Sequence, residues 1–236
     1  MNLKNKTILI TGGSSGFGFE LAKEFLKKEA KVIICSNNLE NLKKAEKKLK
    51  SKNLTIKKCD VRNYSEITAL VAEIKTVDIL VNCAGLYAKD VLQNFDAEII
   101  ANILDVNLKG LIYFTKAVLP KMLKRNKGVI MNVGSLTGIH GKANQTIYAA
   151  SKFGVRGFTE SLADELAETK IKIVEIYPGP MITPIYKKAG ITKVNYRRMD
   201  PRTVAQLTVF SVVNMQMNYI NNIVINGLRE NFTALK

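Results

Sequence analysis

The sequence predicts a single α/β domain, residues 1–236, in which helices cover both faces of a parallel sheet. Apolar segments of strand length alternate with segments of helical apolar periodicity along the whole chain, which is the pattern of successive βαβ units. The length of 236 residues suits one domain with a substantial core. No linker, repeat or low-complexity segment interrupts the alternation.

Each element is predicted from its own apolar pattern. Continuous apolar runs predict strands, because the strands of a parallel sheet are buried on both faces; they lie at 6–11, 31–36, 54–59, 77–82, 128–134, 171–177 and 221–226. Apolar residues repeated every three to four positions predict helices, at 17–29, 39–51, 64–75, 96–107, 109–125, 146–168 and 201–214. The less periodic segment 179–200 is basic and predicts either a flap over the substrate or a plain surface connection.

The formal charge of +16 raises the question of a polyanionic partner. Most of the basic residues are Lys and Trp is absent, whereas base readout favours Arg and stacking aromatics. In the densest basic cluster, at 43–50, the residues Leu42, Ala45 and Leu49 share one helical face. The cluster is therefore interpreted as the solvated side of a helix, and nucleic-acid binding is disfavoured.

The sequence predicts neither a membrane protein nor an exported one. No apolar run approaches the ~18 residues that cross a bilayer, and the charged start Met1–Lys6 leads directly into a strand without a signal peptide. Cys35, Cys59 and Cys83 are odd in number, and each lies near the end of a predicted strand. They are interpreted as core thiols of a cytoplasmic protein, and no metal site is predicted because no CxxC pair exists.

A glycine-rich turn joins the first predicted strand to the first predicted helix. Glycines permit a sharp turn and close approach of a phosphate, while the free amides of the helix start favour negative charge. The alternative is a packing turn. A Walker loop is disfavoured because Phe19 and Glu20, rather than Lys and Ser or Thr, follow the last glycine. The candidate cofactor-binding residues of this turn are Thr11, Gly12, Ser14, Ser15, Gly16, Phe17 and Gly18.

Three further residues form a candidate catalytic set: Ser135, Tyr148 and Lys152. The spacing of Tyr148 and Lys152 places them on one face of a helix. An ammonium ~4 Å from the phenol contributes ~4 kcal/mol at an effective dielectric constant near 20, enough to lower a tyrosine pKa by ~3 units. Such a tyrosine can exchange a proton with a carbonyl or alcohol oxygen. Taken singly, each residue has another interpretation: Ser135 as the cap of a loop, Tyr148 as a surface aromatic and Lys152 as a solvated lysine.

Together these motifs resemble the short-chain dehydrogenase/reductase family over nearly the full chain. The resemblance implies a Rossmann-type doubly wound sheet of seven parallel strands in the order 3-2-1-4-5-6-7. The matching positions, in the family's order and at its approximate spacing, are Thr11-Gly12-xxx-Gly16-x-Gly18, Asn82-Cys83-Ala84-Gly85, Asn107, Ser135, Tyr148-xxx-Lys152 and Pro178-Gly179.

The resemblance also implies roles for the matched residues. Tyr148 would be the general acid/base, and Lys152 would lower its pKa and hold the nicotinamide ribose. Ser135 would position the substrate oxygen, and Asn107 would support a water relay for protons. Beyond the glycine-rich turn, Asp60 would contact adenine and Thr183 the carboxamide; the other implied cofactor contacts are Val61, Asn82, Ala84, Gly85, Pro178 and Gly179.

The choice between the two nicotinamide dinucleotides depends on the end of the second strand, where Ser36 and Asn37 lie. An acid there would bind the ribose diol of NAD, and none is present. An Arg at Asn37 or a basic residue at Ser15 would indicate NADP, and both are absent. NADP(H) is preferred, and NAD(H) stays open.

The predicted function is an oxidoreductase that interconverts a carbonyl and a secondary alcohol of a small molecule, anionic if the basic side chains of the flap face the cleft. One alternative is a 3-oxoacyl thioester reductase acting on an acyl-carrier protein or coenzyme A conjugate, suggested by Lys121, Lys124, Arg125 and Lys127. Another is a non-catalytic, NADP(H)-sensing regulatory or nucleic-acid-binding protein. The resemblance further implies a homodimer or homotetramer formed through 109–125 and 146–168.

Overall fold

Seven parallel strands form one sheet in the order β3-β2-β1-β4-β5-β6-β7, which confirms the predicted topology. The computed structural model describes residues 1–191, 198–215 and 221–227. The strands are β1 (Thr7–Thr11), β2 (Lys31–Ser36), β3 (Leu54–Lys58), β4 (Ile79–Asn82), β5 (Gly128–Val133), β6 (Ile171–Pro178) and β7 (Asn222–Ile225). The order reverses between β1 and β4, and in such sheets ligands bind beside this reversal, outside the carboxyl ends of the strands.

Helices connect the strands, and each predicted helix has a counterpart. They are α1 (Gly16–Lys27), α2 (Leu39–Leu49), α3 (Tyr64–Glu73), α4 (Ala97–Leu104), α5 (Gly110–Leu123), α6 (Thr146–Glu165), α7 (Ile185–Lys188) and α8 (Pro201–Val213). The short α7 lies inside the predicted flap, of which residues 192–197 are outside the described part of the chain. A π-helical turn, Asp105–Lys109, joins α4 to α5 without the expected break.

Two hydrophobic clusters cover the two faces of the sheet. Ile8 and Ile10 of β1 pack with α1, α2 and α8 on one face, while Leu9 packs with α3, α5 and α6 on the other. Successive residues of a strand point to opposite faces, so both alternations of each central strand are apolar. This double burial explains why the strands are continuous apolar runs in the sequence.

One further expectation is confirmed, and another is confirmed for two of three cysteines. Leu42 and Ala45 of α2 are buried while the lysines of the basic cluster are exposed, so that cluster is a solvated helix face. Cys35 and Cys59 are buried thiols, and burial raises the pKa of Cys59 to about 12; Cys83 is only half-buried. Within the described ranges, no helix combines the length and the apolar character that a bilayer crossing needs.

Candidate active site

A cavity of about 1580 Å³ lies at the carboxyl ends of the strands. Its walls come from the turns and loops that follow all seven strands, so residues far apart in sequence meet there. The structure brings most of the predicted site residues to its wall: Gly12, Ser14, Ser15, Gly16, Phe17, Gly18, Ser36, Asn37, Asp60, Val61, Ala84, Gly85, Ser135, Tyr148, Lys152, Pro178, Gly179 and Thr183.

The glycine-rich turn has the geometry that a dinucleotide pyrophosphate requires. Gly12 and Gly16 have φ values of +68° and +57°, a region that favours glycine. A Cβ on Gly18 would lie 2.6 Å from the carbonyl oxygen of Gly12. Ser15, the N-cap of α1, makes no side-chain hydrogen bond, and the first turn carries no acid. The amides at this helix start are therefore left for an anion.

Thr11 and Asn82 were predicted among the cofactor contacts, but neither lines the cavity, and both lie behind its wall. The Thr11 hydroxyl accepts hydrogen bonds from the amides of Cys83 and Ala84, both at 3.0 Å. The amide of Asn82 donates to Thr115 and Asn132 inside the sheet-helix interface, at 3.0 and 2.9 Å. The Thr11 side chain fixes the backbone of the wall, and the Asn82 side chain joins β4 to α5 and β5 behind it.

Ser135 and Tyr148 meet at the wall formed by β5 and α6. Ser135 follows the end of β5, and its Oγ accepts a hydrogen bond from the amide of Thr137 at 3.1 Å. The Ser135 hydroxyl lies close enough to the Tyr148 hydroxyl to lower its pKa, against the effect of burial. The ring of Tyr87 packs edge-on against that of Tyr148, with 4.9 Å between their centroids. One hydroxyl pair is thus presented beside an aromatic wall.

Lys152 lies one helical turn after Tyr148, as predicted, and its Nζ is 5.9 Å from the centroid of the Tyr148 ring. The ammonium donates to the carbonyl oxygen of Val133 at 2.7 Å. Burial lowers the pKa of Lys152 to about 8 and raises that of Tyr148 to about 12, with the Ser135 hydrogen bond opposing the second shift. The expected lowering of the Tyr148 pKa by Lys152 is therefore corrected, because desolvation of the phenol is the larger effect.

Asn107 does not line the cavity, and both ends of its side chain are bonded. Its Oδ1 accepts from the amide of Leu86 at 2.7 Å, and its Nδ2 donates to the Leu86 carbonyl at 2.9 Å and to Ser151 Oγ at 3.0 Å. Ser151 in turn donates to the carbonyl of Tyr148 at 2.7 Å. Asn107 thus fastens the loop after β4 to the helix that carries Tyr148. Its expected support of a water relay for protons stays a prediction.

At the end of the cavity near β2 and β3, Arg62 is a residue that sequence reasoning missed. Its Nη2 contacts a carboxylate oxygen of Asp60 at 2.6 Å, and its Nη1 donates to Asn102 at 2.6 Å. The hydrogen bonds from Arg62 hold the pKa of Asp60 below its usual value. The signal available in the sequence was the position of Arg62, two residues after the predicted adenine contact.

At the opposite end, near β6, aromatic and basic side chains from three loops meet. The ring centroids of Tyr87 and Tyr186 are 5.2 Å apart, and the guanidinium of Arg198 lies 5.8 Å from the Tyr186 centroid. Sequence reasoning assigned this region to the substrate without identifying Tyr87 or Tyr186. The basic residues on this part of the wall are Lys89, His140, Lys142 and Lys188. Lys193 and Arg197 of the predicted basic flap lie outside the described residues.

The basic patch suggested for a carrier protein lies away from this cavity. Lys121 donates to the carbonyl of Ile74 at 2.8 Å, and Arg125 donates to that of Val77 at 2.6 Å. Both acceptors precede β4, so the patch is at the amino edge of the sheet. It is opposite the edge where Tyr148 lies.

The comparisons with known proteins agree with this geometry. Residues 6–193 match the family model described as short chain dehydrogenase. An uncharacterised oxidoreductase of Staphylococcus saprophyticus is 31% identical over 229 residues, covering 94% of this chain and 96% of that protein. Two solved structures are also similar. One is the closed form of serine dehydrogenase complexed with NADP+, 31% identical, with a TM-score of 0.85 and 98% of each chain covered.

The other is an actinorhodin polyketide ketoreductase with NADPH, 30% identical, with a TM-score of 0.86 and 94% of this chain and 96% of that chain covered. The family match spans most of the chain, and the two similar structures extend the agreement to the whole fold. The chain therefore belongs to the short-chain dehydrogenase/reductase family and is an NAD(P)-dependent oxidoreductase.

Proposed function

We propose that this protein interconverts a carbonyl group and a secondary alcohol of a small molecule, with NADP(H) preferred over NAD(H) and Tyr148 as general acid/base. The observation that carries the proposal is the position of the neighbouring hydroxyls of Ser135 and Tyr148. The pair lies on the wall of the same cavity as the start of α1, whose amides are uncapped by side chains. A dinucleotide and a carbonyl group fit together in such a cavity.

The bound dinucleotide supplies or accepts the hydride. Its pyrophosphate would lie on the glycine-rich turn and the start of α1, because unpaired amides and the helix dipole favour negative charge there. Asp60 and Val61 would border the adenosine, and Lys152 the nicotinamide ribose. The remaining cofactor contacts are proposed for Ser36, Asn37, Ala84, Gly85, Pro178, Gly179 and Thr183, which all line the cavity.

Tyr148 would give its proton to the carbonyl oxygen during reduction and remove the proton of the alcohol during oxidation. Its pKa of about 12 keeps the phenol protonated near neutral pH, which suits the reductive direction. Ser135 would hold the reacting oxygen beside the phenol. The Lys152 ammonium would favour the phenolate that remains after proton donation, since opposite charges stabilise each other.

Asn107 would influence catalysis by holding Tyr148 in place. It joins the loop after β4 to Ser151, which holds the backbone carbonyl of Tyr148. Fixing a catalytic group within a few tenths of an ångström matters, because misplacement by about 1 Å can cost ~100-fold in rate. The proposed role of Asn107 is thus to aim Tyr148, instead of contacting the substrate.

The preference for NADP(H) rests on the charges at the adenosine end. Ser36 and Asn37 leave the end of β2 without an acid, and the guanidinium of Arg62, which is paired with Asp60, lies on the same part of the wall. Both solved relatives named above carry NADP+ or NADPH. The test is a titration with NADPH and NADH, followed by a ketone panel with the tighter-binding cofactor. No hydride transfer to any ketone would contradict the proposal.

The substrate is proposed to be anionic. Lys89, Lys142 and Lys188 lie on the cavity wall near Tyr148. Asp60 is the single acidic residue among the described residues that line the cavity, and it lies at the adenosine end. A net positive wall raises the local concentration of anions. A carbonyl compound carrying a carboxylate or phosphate would therefore be favoured over a neutral one.

A second candidate is a 3-oxoacyl thioester reductase, favoured by the likeness to a polyketide ketoreductase. The patch around Lys121 gives it no support, because that patch is at the other edge of the sheet. Comparing turnover of a free ketone with that of its thioester on an acyl carrier separates the two. A non-catalytic NADP(H) sensor would bind the dinucleotide and transfer no hydride to either.

We also propose that the protein is a homodimer or homotetramer formed through α5 and α6. Leu123 and Phe153 on these helices are 44% and 43% exposed. A shallow apolar depression lies between the helices and includes Leu119 and Phe158. Symmetric pairing would cover these side chains, and light scattering at micromolar concentration measures the stoichiometry.

A further inference from the structure

Glu175 is a fully buried acid in the middle of β6. Its exposed fraction is 0%, and it pairs in register with Asn132 of β5. Among the described residues, no group reaches either carboxylate oxygen with good hydrogen-bond geometry, although the hydroxyls of Tyr177 and Thr159 lie near enough to act on it. The hydroxyl of Thr159 is close, but it donates its proton to the carbonyl of Val155 at 2.7 Å. A buried charge without a partner is costly, so the acid needs an explanation.

The carboxylate lies directly behind the catalytic wall. A Cβ on Gly134 would collide with Oε1 of Glu175, so the glycine leaves room for the acid. Lys152 donates to the carbonyl of Val133, the residue before Gly134, at 2.7 Å. The carboxylate and the ammonium therefore flank the same stretch of backbone at the end of β5, and each acts electrostatically on the other.

The charged groups around Glu175 come from two elements. α6 contributes Lys152, Arg156 and Glu160, and β6 contributes the hydroxyl of Tyr177. Arg156 is paired with Glu160 at 2.8 Å on the outer side of the helix. Neither β5 nor β7 (Asn222–Ile225) carries a titratable side chain. Lys152 is thus the buried cation that Glu175 faces.

We propose that Glu175 is a positioning residue of the active site, whose buried carboxylate keeps Lys152 in its ammonium form and thereby sets the pH range of cofactor binding. The inference rests on the proposed function of Lys152 at the nicotinamide ribose. It assigns a purpose to the buried acid and to the glycine in front of it.

Burial acts on the two groups in opposite directions. It lowers the pKa of Lys152 to about 8 and raises that of Glu175 to about 7, while their mutual attraction opposes both shifts. Cys83 is the other group that raises the pKa of Lys152, but burial raises the pKa of its own thiol to about 12, so this thiol is uncharged near neutral pH. Without the carboxylate, Lys152 therefore loses its proton at a lower pH, because desolvation still lowers its pKa. The affinity for the dinucleotide should follow the charge of Lys152.

The experiment is a titration of NADPH against the wild type and Glu175→Gln between about pH 6 and pH 10. The chain has no Trp, so NADPH fluorescence reports binding without interference from tryptophan. We expect the pH at which affinity declines to fall by about 1 unit in Glu175→Gln. The alkaline limb of kcat/KM should move equally, and Glu175→Asp, which keeps the charge, should restore both toward wild-type values.

Glu24→Gln serves as the control, because Glu24 is also buried but pairs with Lys27 in α1. In this variant, the pH midpoint for the decline in NADPH affinity should stay unchanged. If Glu175→Gln fails to fold, Glu175→Ala removes the charge without burying an amide. An unchanged midpoint in a folded neutral variant overturns the proposal. Wild-type protein that binds neither NADPH nor NADH at any pH would instead contradict the proposed function itself, and the role of Glu175 with it.

Discussion

Burial shifts the pKa values of Tyr148 and Lys152 in opposite directions. Burial favours the neutral form of each, so the phenol becomes a weaker acid and the ammonium a stronger one. The two pKa values, about 12 and about 8, keep Tyr148 protonated at neutral pH and place Lys152 close to its own titration. A site arranged in this way is ready to donate a proton and is sensitive to the charges behind it.

The cofactor preference can be tested at Asn37. An aspartate there should repel the 2′-phosphate of NADPH and bind the ribose diol of NADH. We expect Asn37→Asp to raise the Kd for NADPH by about tenfold, which corresponds to ~1.4 kcal/mol, while the Kd for NADH stays the same or falls. Asn38→Asp is the matched control, because Asn38 caps α2 and does not line the cavity. Equal effects of both variants would contradict the preference.

Glu175 should also make the free energy of unfolding depend on pH. Its folded-state pKa is raised from 4.5 to about 7, so its contribution to stability is fully present below about pH 4.5 and is lost as the pH rises through 7. The loss amounts to ~3 kcal/mol at 1.36 kcal/mol per unit. Relative to wild type, Glu175→Gln should be more stable at pH 8 than at pH 5 in urea unfolding. A stability difference independent of pH would contradict this account.

The sequence predicted the catalytic residues because their identities and spacing are local properties. Tyr148 and Lys152 are one helical turn apart, and their alignment needs only the helix. Tyr87 and Arg62 were missed because their contacts depend on how loops fold across the cavity. Glu175 had a usable signal, a charge inside an apolar strand, since charged residues are almost never fully buried without a role.

At the scale of the elements, the turn between β1 and α1 leaves no room for a side chain at Gly18. We expect Gly18→Ala to cost ~1–3 kcal/mol of stability and to weaken dinucleotide binding, because its Cβ would meet the Gly12 carbonyl at 2.6 Å. Gly157→Ala in α6 is the control, since nothing lies within 4 Å of a Cβ there; it should be neutral or stabilising by up to ~1 kcal/mol. Urea unfolding and a cofactor titration measure both, and equal stability of the two variants would rule out the close approach.

The short helix α7 offers a test of the anionic substrate. Lys188 lines the cavity and Lys187, its neighbour, does not. Lys188→Gln should raise KM severalfold for a carboxylate-bearing ketone and leave KM for a neutral ketone unchanged, as expected for one charge in a partly solvated cleft. Lys187→Gln should alter neither. Steady-state kinetics with the two ketones decides, and equal effects on both substrates would reject the proposal.

The junction between α4 and α5 is a place where apolar periodicity in the sequence did not predict the structure. Two helices with a break were predicted, and one continuous path with a π-helical turn at Asp105–Lys109 was found. A π-helical turn shifts the helical phase by inserting one residue, which in sequence looks like the end of one helix and the start of another. Its purpose is visible only in three dimensions, where Asn107 reaches Leu86 and Ser151.

For the molecule as a whole, the strand order determines where the chemistry is. The reversal between β1 and β4 opens the cleft at the carboxyl edge of the sheet, and the glycine-rich turn and the loop after β4 meet there. The fold class followed from the alternation of apolar patterns, and the strand order from the family resemblance. Residence in the cytoplasm and single-domain boundaries of 1–236 stay predictions.

The central claim is that Tyr148 exchanges the proton that accompanies hydride transfer. The measurement is NADPH oxidation at saturating cofactor and ketone for wild type and Tyr148→Phe, together with the Kd for NADPH of each. The account predicts a fall in kcat of ~100-fold to 10,000-fold, the range for a general acid, with the Kd nearly unchanged. Turnover retained at the wild-type rate by Tyr148→Phe would contradict it.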